Sequence, residues 1–183
     1  MSSHVALLRG INVGGRNKVP MAELREVVTS LGHTGVTTYI QSGNVLFTTD
    51  QRDNGKLASD LEAAITGTFG IKSSVVVLSR EDLAGILDRN PYPEEPNPKL
   101  VHVVFLSAEP PSALLDRVKA AQSAAAAKSS RDTVTVIGPV LFLHTPDGFG
   151  NSDLASVVLR VLGTATARNW ATATKLLSLC EEK

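Results

Sequence analysis

The sequence predicts an α+β protein made of two similar βαββα halves in tandem, with an extra C-terminal helix. Two observations carry this. The order strand, helix, hairpin, helix is read twice along the chain. The spacing between the copies is close to constant, since Val5 to Val101 and Val45 to Leu141 are both 96 residues apart. A proline-rich stretch separates the copies. The expected domains are residues 1–90, a linker over 91–99, and residues 100–183.

In the first half, Val5 to Leu8 is a short apolar run of the kind that forms a buried strand. The loop from Arg9 to Lys18 follows, and Pro20 then suits the first turn of a helix. Leu24, Val27, Val28 and Leu31 recur at spacings of three and four, giving that helix one apolar face, and Gly32 stops it. Val36 to Ile40 and Val45 to Thr48 read as strands joined by Gln41-Ser42-Gly43-Asn44, a tight hairpin signal. Leu57, Leu61, Ala64, Ile65 and Phe69 mark the buried face of the next helix. Val75 to Leu78 is another buried strand. Ser79 to Asp82 has the capping-box form Ser-x-x-acid and opens a short helix. The strand at Val75 completes β-α-β-β-α-β, the split βαβ arrangement of ferredoxin-like domains.

Asn90 to Lys99 holds Pro91, Pro93, Pro96 and Pro98. Such a segment is expected to be extended and semi-rigid.

The second half repeats the order. Val101 to Leu106 is a strand, and Pro110 and Pro111 open a helix carrying Leu114, Leu115 and Val118. The small, polar tract Ala120 to Ser130 is expected to fray that helix into a loop. Thr133 to Ile137 and Val140 to His144 form a second hairpin around Gly138-Pro139. Leu154, Val157, Val158, Val161 and Leu162 share one face of a helix. The last helix is expected to start with Thr166 as N-cap and to carry Trp170, Ala173, Leu176, Leu177 and Cys180. On this reading the final strand of the second half is replaced by a helix.

Composition bounds the function classes. Hydrophobic residues make up 43% and charged residues 20%, ordinary for a globular chain that buries a core. Lysine plus arginine equals aspartate plus glutamate at 18 each, so no global field steers the protein to nucleic acid or an anionic membrane. No signal peptide and no transmembrane run is read. The single cysteine, Cys180, cannot form an intrachain disulfide, which favours a reducing, cytoplasmic setting or indifference to redox state.

The loop from Arg9 to Lys18 is the most informative stretch. It holds Gly10, Gly14 and Gly15, the bases Arg9, Arg16 and Lys18, and no acid. It joins a strand to a helix, so amides there are placed to face an anion. Its Gly-x-x-x-x-Gly spacing resembles a Walker A loop. Arg16 and Asn17 stand where the lysine and hydroxyl residue are required, so a nucleotide triphosphatase is rejected. The alternative is a long glycine-rich crossover with solvated bases. Gln41, Ser42 and Asn44 either form a turn or add hydrogen bonds to a ligand on that loop. Arg168, read in the first turn of the last helix, opposes the helix dipole unless an anion sits there. Asn169 and Trp170 adjoin it, Trp170 reading more readily as core than as a stacking platform.

Other chemistries find little support. His4, His33, His102 and His144 lack metal-ligand spacing, and Cys-x-x-Cys and His-Glu-x-x-His are absent, so no metal site is read. Asp147 and Asp153 around Gly148-Phe149-Gly150 are weak cation ligands. Gly-x-Ser-x-Gly is absent. Aromatics at 4% and the lack of an RNA-recognition octet disfavour nucleic acid.

Three long motifs carry a resemblance: Ala6-Leu7-Leu8-Arg9-Gly10-Ile11-Asn12-Val13-Gly14-Gly15, then Asn17 to Arg25, then Thr38-Tyr39-Ile40-Gln41-Ser42-Gly43-Asn44-Val45. With Asn90-Pro91, Lys99, His102 and the Thr166-Ala167-Arg168-Asn169-Trp170 element, the chain resembles a family of uncharacterised bacterial proteins classed only as a domain of unknown function. The resemblance implies a duplicated α+β fold related to ferredoxin-like domains, and no activity. Asp153 departs from it, where the family tends to place lysine after serine.

Three functional expectations stand side by side. The first is a module binding a phosphate-bearing or other anionic small molecule through Arg9, Gly10, Asn12, Gly14, Gly15, Lys18, Gln41, Ser42, Asn44, Arg168, Asn169 and Trp170. The second is a protein-interaction or assembly module, a homo-oligomer included. The third is an enzyme, for which no general base is identified. The residues name no cofactor.

Overall fold

The computed structural model describes residues 2–182. Two compact units are distinguished: Met1–Gly85 with Lys175–Lys183, and Ile86–Thr174. Each holds a four-stranded antiparallel sheet.

In the first unit the order is β1 (Ser2–Leu8), α1 (Met21–Ser30), β2 (Thr34–Tyr39), β3 (Asn44–Thr49), α2 (Asn54–Phe69), β4 (Val75–Ser79) and α3 (Arg80–Leu87), the sheet running β2-β3-β1-β4. Period-2 alternation sends Ala6, Leu8, Val45, Phe47, Val75 and Val77 to one face. There they pack with Leu24 and Val28 of α1 and Leu57, Leu61 and Ile65 of α2. The other face is equally dry, with Val5, Leu7, Leu46 and Val76 all buried. The capping box forms: the Asp82 carboxylate accepts from the Ser79 hydroxyl (2.7 Å) and amide (3.2 Å), and the Asp82 amide donates to Ser79 Oγ (3.0 Å).

In the second unit the order is β5 (Val101–Phe105), α4 (Ser112–Ala127), β6 (Thr133–Ile137), β7 (Val140–His144), a 3-10 turn (Phe149–Asn151), α5 (Asp153–Leu162), β8 (Thr166–Asn169) and the start of α6 (Trp170–Glu181), whose residues from Lys175 on belong to the first unit, the sheet running β6-β7-β5-β8. Val104, Leu141, Leu143 and Ala165 meet Val118 and Ala125 of α4 and Leu154, Val158 and Leu162 of α5. Val157 and Val161, expected fully on that buried face of α5, are half-buried.

The duplication is therefore more complete than the sequence reading allowed. Thr166–Asn169 is a strand paired with β5, from Phe105 opposite Thr166 to His102 opposite Asn169. Thr166 is thus not a helix N-cap, and Arg168 does not sit in a first helical turn. Four polar or small residues carry no apolar run, which is why the strand hides in the sequence. The constant offset also slips. Ala6 pairs Val45 where Val104 pairs Leu141, all four facing the helices. Val5 thus corresponds to Val103 and not to Val101.

Two local expectations change. Helix α4 persists to Ala127, because alanine has the highest intrinsic helix propensity and Ala125 is buried. The proline-rich segment is folded into consecutive turns, with Glu95 N–H donating to the Tyr92 carbonyl and Leu100 N–H to that of Asn97. It is laced to the β6–β7 hairpin. Tyr92 Oη and Thr135 Oγ1 are 2.9 Å apart, and Glu95 Oε2 and His144 Nε2 2.6 Å.

Candidate functional site

The loop after β1 is a miniature hairpin. Gly14 and Gly15 both have positive φ, +57° and +75°, and Arg16 N–H donates to the Val13 carbonyl at 3.0 Å, the type I′ pattern. Asn12 N–H closes the next rung onto the Asn17 carbonyl at 3.0 Å. Asn12 and Asn17 are themselves left-handed, at φ +53° and +49°. Asparagine tolerates that region through local hydrogen bonds. Asn17 donates its amide to the Gly10 carbonyl at 2.8 Å.

Asn12 is the hub. Its Nδ2 donates to the carbonyls of Val19 and Gln41, both at 3.0 Å, and its Oδ1 accepts from Val19 N–H at 2.9 Å. The bond to Gln41 ties the loop to the β2–β3 turn, so the two polar segments singled out in the sequence lie at the same end of the first unit. Leu8 N–H donates to the Gly43 carbonyl at 2.8 Å, a second tie. Arg9 is anchored from β4's approach: its amide donates to the Ser74 carbonyl at 2.9 Å, and Ser73 Oγ donates to its carbonyl at 2.8 Å. Neither serine was legible as part of this site, since no local motif marks a bond spanning that much chain.

Gly43 meets two demands at once. Its φ is +78°, and a Cβ there would lie 2.7 Å from Leu8 Cβ and 2.9 Å from Ile11 Cδ1. Ile40, on the other side of the turn, holds φ +49° while half exposed. A β-branched residue in that region costs about 1–2 kcal/mol. Strain of this kind clusters at functional sites.

The electrostatics of this end are one-sided. Among the described residues, the side chains of Arg9, Arg16 and Lys18 form no ion pair or hydrogen bond, and the amides of Gly14 and Gly15 meet no acceptor. Gly10, Gly14, Gly15, Arg16, Lys18, Gln41 and Ser42 are all exposed. Asn44 is buried instead, its Nδ2 donating to the Tyr39 carbonyl (3.0 Å) and to Ser42 Oγ (3.1 Å).

Arg168, Asn169 and Trp170 belong to the second unit. Arg168 is 8% exposed, and its Nη1 donates to Thr166 Oγ1 and the Ala167 carbonyl, both at 2.8 Å. Burial lowers its pKa to about 10. Asn169 caps α6, its Oδ1 accepting from Thr172 N–H at 2.8 Å, and Trp170 is the first helical residue.

Among the described residues no group of three or more His, Cys, Asp or Glu side chains is arranged to hold a metal, and no helix is long and apolar enough to cross a membrane.

No curated protein matches the chain. Among solved structures, the chain is similar to the conserved bacterial protein SP0830 from Streptococcus pneumoniae, at 26% identity, with 98% of each chain covered and a TM-score of 0.72. The model of a family described as protein of unknown function (DUF1697) matches residues 1–142, and the chain belongs to that family.

Proposed function

We propose that the loop end of the first unit binds a phosphate-bearing or other anionic small molecule. One observation carries this reading. The Asn12 clamp fixes two polar loops side by side, and the joined surface presents Arg9, Arg16 and Lys18 without a partner among the described residues. The turn amides of Gly14 and Gly15 supply donors, and the exposed side chains of Gln41 and Ser42 border them. Cations and oriented amides together form the strong, charge-assisted mode of anion recognition. Asn12 and Asn44 are scaffold in this reading. A cytoplasmic setting belongs to it, supported by a lone cysteine, Cys180, that is buried.

Phosphate should raise the melting temperature of the full chain more than chloride at equal ionic strength. The double substitution Arg9→Met with Lys18→Met removes that difference, whereas general salting-out would survive it. A phosphate effect undiminished in the double variant rejects the site.

A second reading is favoured by a different observation. Val13 and Ile40, 65% and 50% exposed, stand on the same two loops, and Leu31 is the other large hydrophobic exposed among the described residues. On that reading the end of the first unit is an apolar contact for a protein partner, a second copy included. Sedimentation velocity over a wide concentration range tests the self-association case. A monomer throughout, with phosphate still stabilising, leaves the anion reading standing.

A further inference from the structure

We propose that the groove between α4 and α5 of the second unit binds a small amphiphilic cation, with an ammonium or amidinium head on Asp132 and a short apolar body over the alanines of α4. The groove encloses about 360 Å³, within the range of small-ligand sites. Its origin is the alanine tract. Ala121, Ala124 and Ala125 face Leu154 and Val157 across the groove, and side chains that end at Cβ leave the space between the helices unfilled.

Asp132 supplies the specificity. It is 7% exposed and lines the groove. Aspartate is almost never this buried unless paired. Ser152 Oγ donates to one carboxylate oxygen, Oδ2, at 2.7 Å. The other, Oδ1, accepts no hydrogen bond from a described residue and opens to solvent in the groove, and no cation lies within 4.0 Å of either. Arg131, next in the chain, attracts Asp132 but makes no contact with its carboxylate. Arg131 pairs with Asp147. Lys128 also lines the groove and contributes one positive charge, set against Asp132 and Asp153, so the lining stays acidic once the Asp147 pair is set aside. An apolar floor ending in a carboxylate whose one free oxygen faces the groove matches a ligand with a compact cationic head. An anionic or purely apolar ligand would leave Oδ1 as it is.

Phenethylamine and its neutral isostere 2-phenylethanol, titrated into the full chain and followed by backbone amide shifts, test this. The amine should shift Ala121, Ala125, Leu154 and Val157 saturably and bind about tenfold more tightly than the alcohol, as one hydrogen bond to a charged group warrants. Asp132→Asn should abolish the preference. Ala124→Phe, at an exposed helical position, fills the groove, keeps Asp132 and should abolish binding of both probes, so the test survives even if Asp132→Asn fails to fold. Equal affinities, shifts that map outside the groove, a preference surviving Asp132→Asn, or binding surviving Ala124→Phe would each overturn the proposal.

Discussion

Gly43 stands where the first strand ends, the loop begins and the hairpin turns, and a methyl group has no room there. Gly43→Ala should cost about 3 kcal/mol, one part from the left-handed conformation and the rest from overpacking against Leu8 and Ile11. Gly14→Ala, with nothing within 4 Å of its Cβ, should cost only about 1 kcal/mol. Chemical denaturation of the two variants separates crowding from strain; equal losses would remove the close-approach argument. His102 makes a pH prediction at the same scale. Its ring stacks on Phe149 with centroids 3.8 Å apart, its Nδ1 is buried without a partner, and burial lowers its pKa to about 4. The folded state favours the neutral ring, so the stabilisation is full above pH 6.5 and is lost as pH falls toward 4. Discounted for partial exposure, the loss is on the order of 2 kcal/mol. His102→Leu should flatten the stability profile over that window, and a slope unchanged in the variant would contradict the assignment. Of these features, the sequence showed that Gly43 sits in a turn. It did not show the Leu8 contact, because that contact joins positions far apart in the chain.

Helix periodicity is the most legible signal in this chain. The α5 face was readable because Leu154, Val158 and Leu162 recur every four residues, and all three are buried. Val158→Asp places an unpaired charge at a position with no exposure and should cost roughly 4 kcal/mol or more. A denaturation midpoint equal to that of the unsubstituted protein would mean the face is not core. Strand β8 was not readable. Ala165 and Ala167 meet the core with single methyl groups, and Arg168 sits between Ala167 and Asn169 where a strand pattern calls for an apolar residue. The pairing partner, β5, supplies what the local sequence lacks. The Gly14-Gly15 pair was legible as special, but the reason proved to be a type I′ turn within the loop. Ligand approach is not needed to explain those glycines, so the anion proposal rests on the cations and the unused turn amides.

At the scale of the whole chain, the tandem order of elements was legible and the exact correspondence was not. Two identical strand orders, β2-β3-β1-β4 and β6-β7-β5-β8, confirm the repeat. Register and face together move the partner of Val5 from Val101 to Val103, a shift that element spacing alone does not detect. The repeat does not extend to the site: the Gly-rich basic loop of the first unit has as its counterpart after β5 a segment with Pro110 and Pro111 and no base. The central functional claim is therefore local to one unit. Its most direct measurement is a titration of inorganic phosphate, against chloride at matched ionic strength, observed at the backbone amides of the full chain. The account predicts saturable shifts led by Gly14, Gly15 and Arg16, together with Gln41 and Ser42, that vanish in the Arg9→Met, Lys18→Met variant. Saturable shifts centred elsewhere, or none at these five amides, would contradict it.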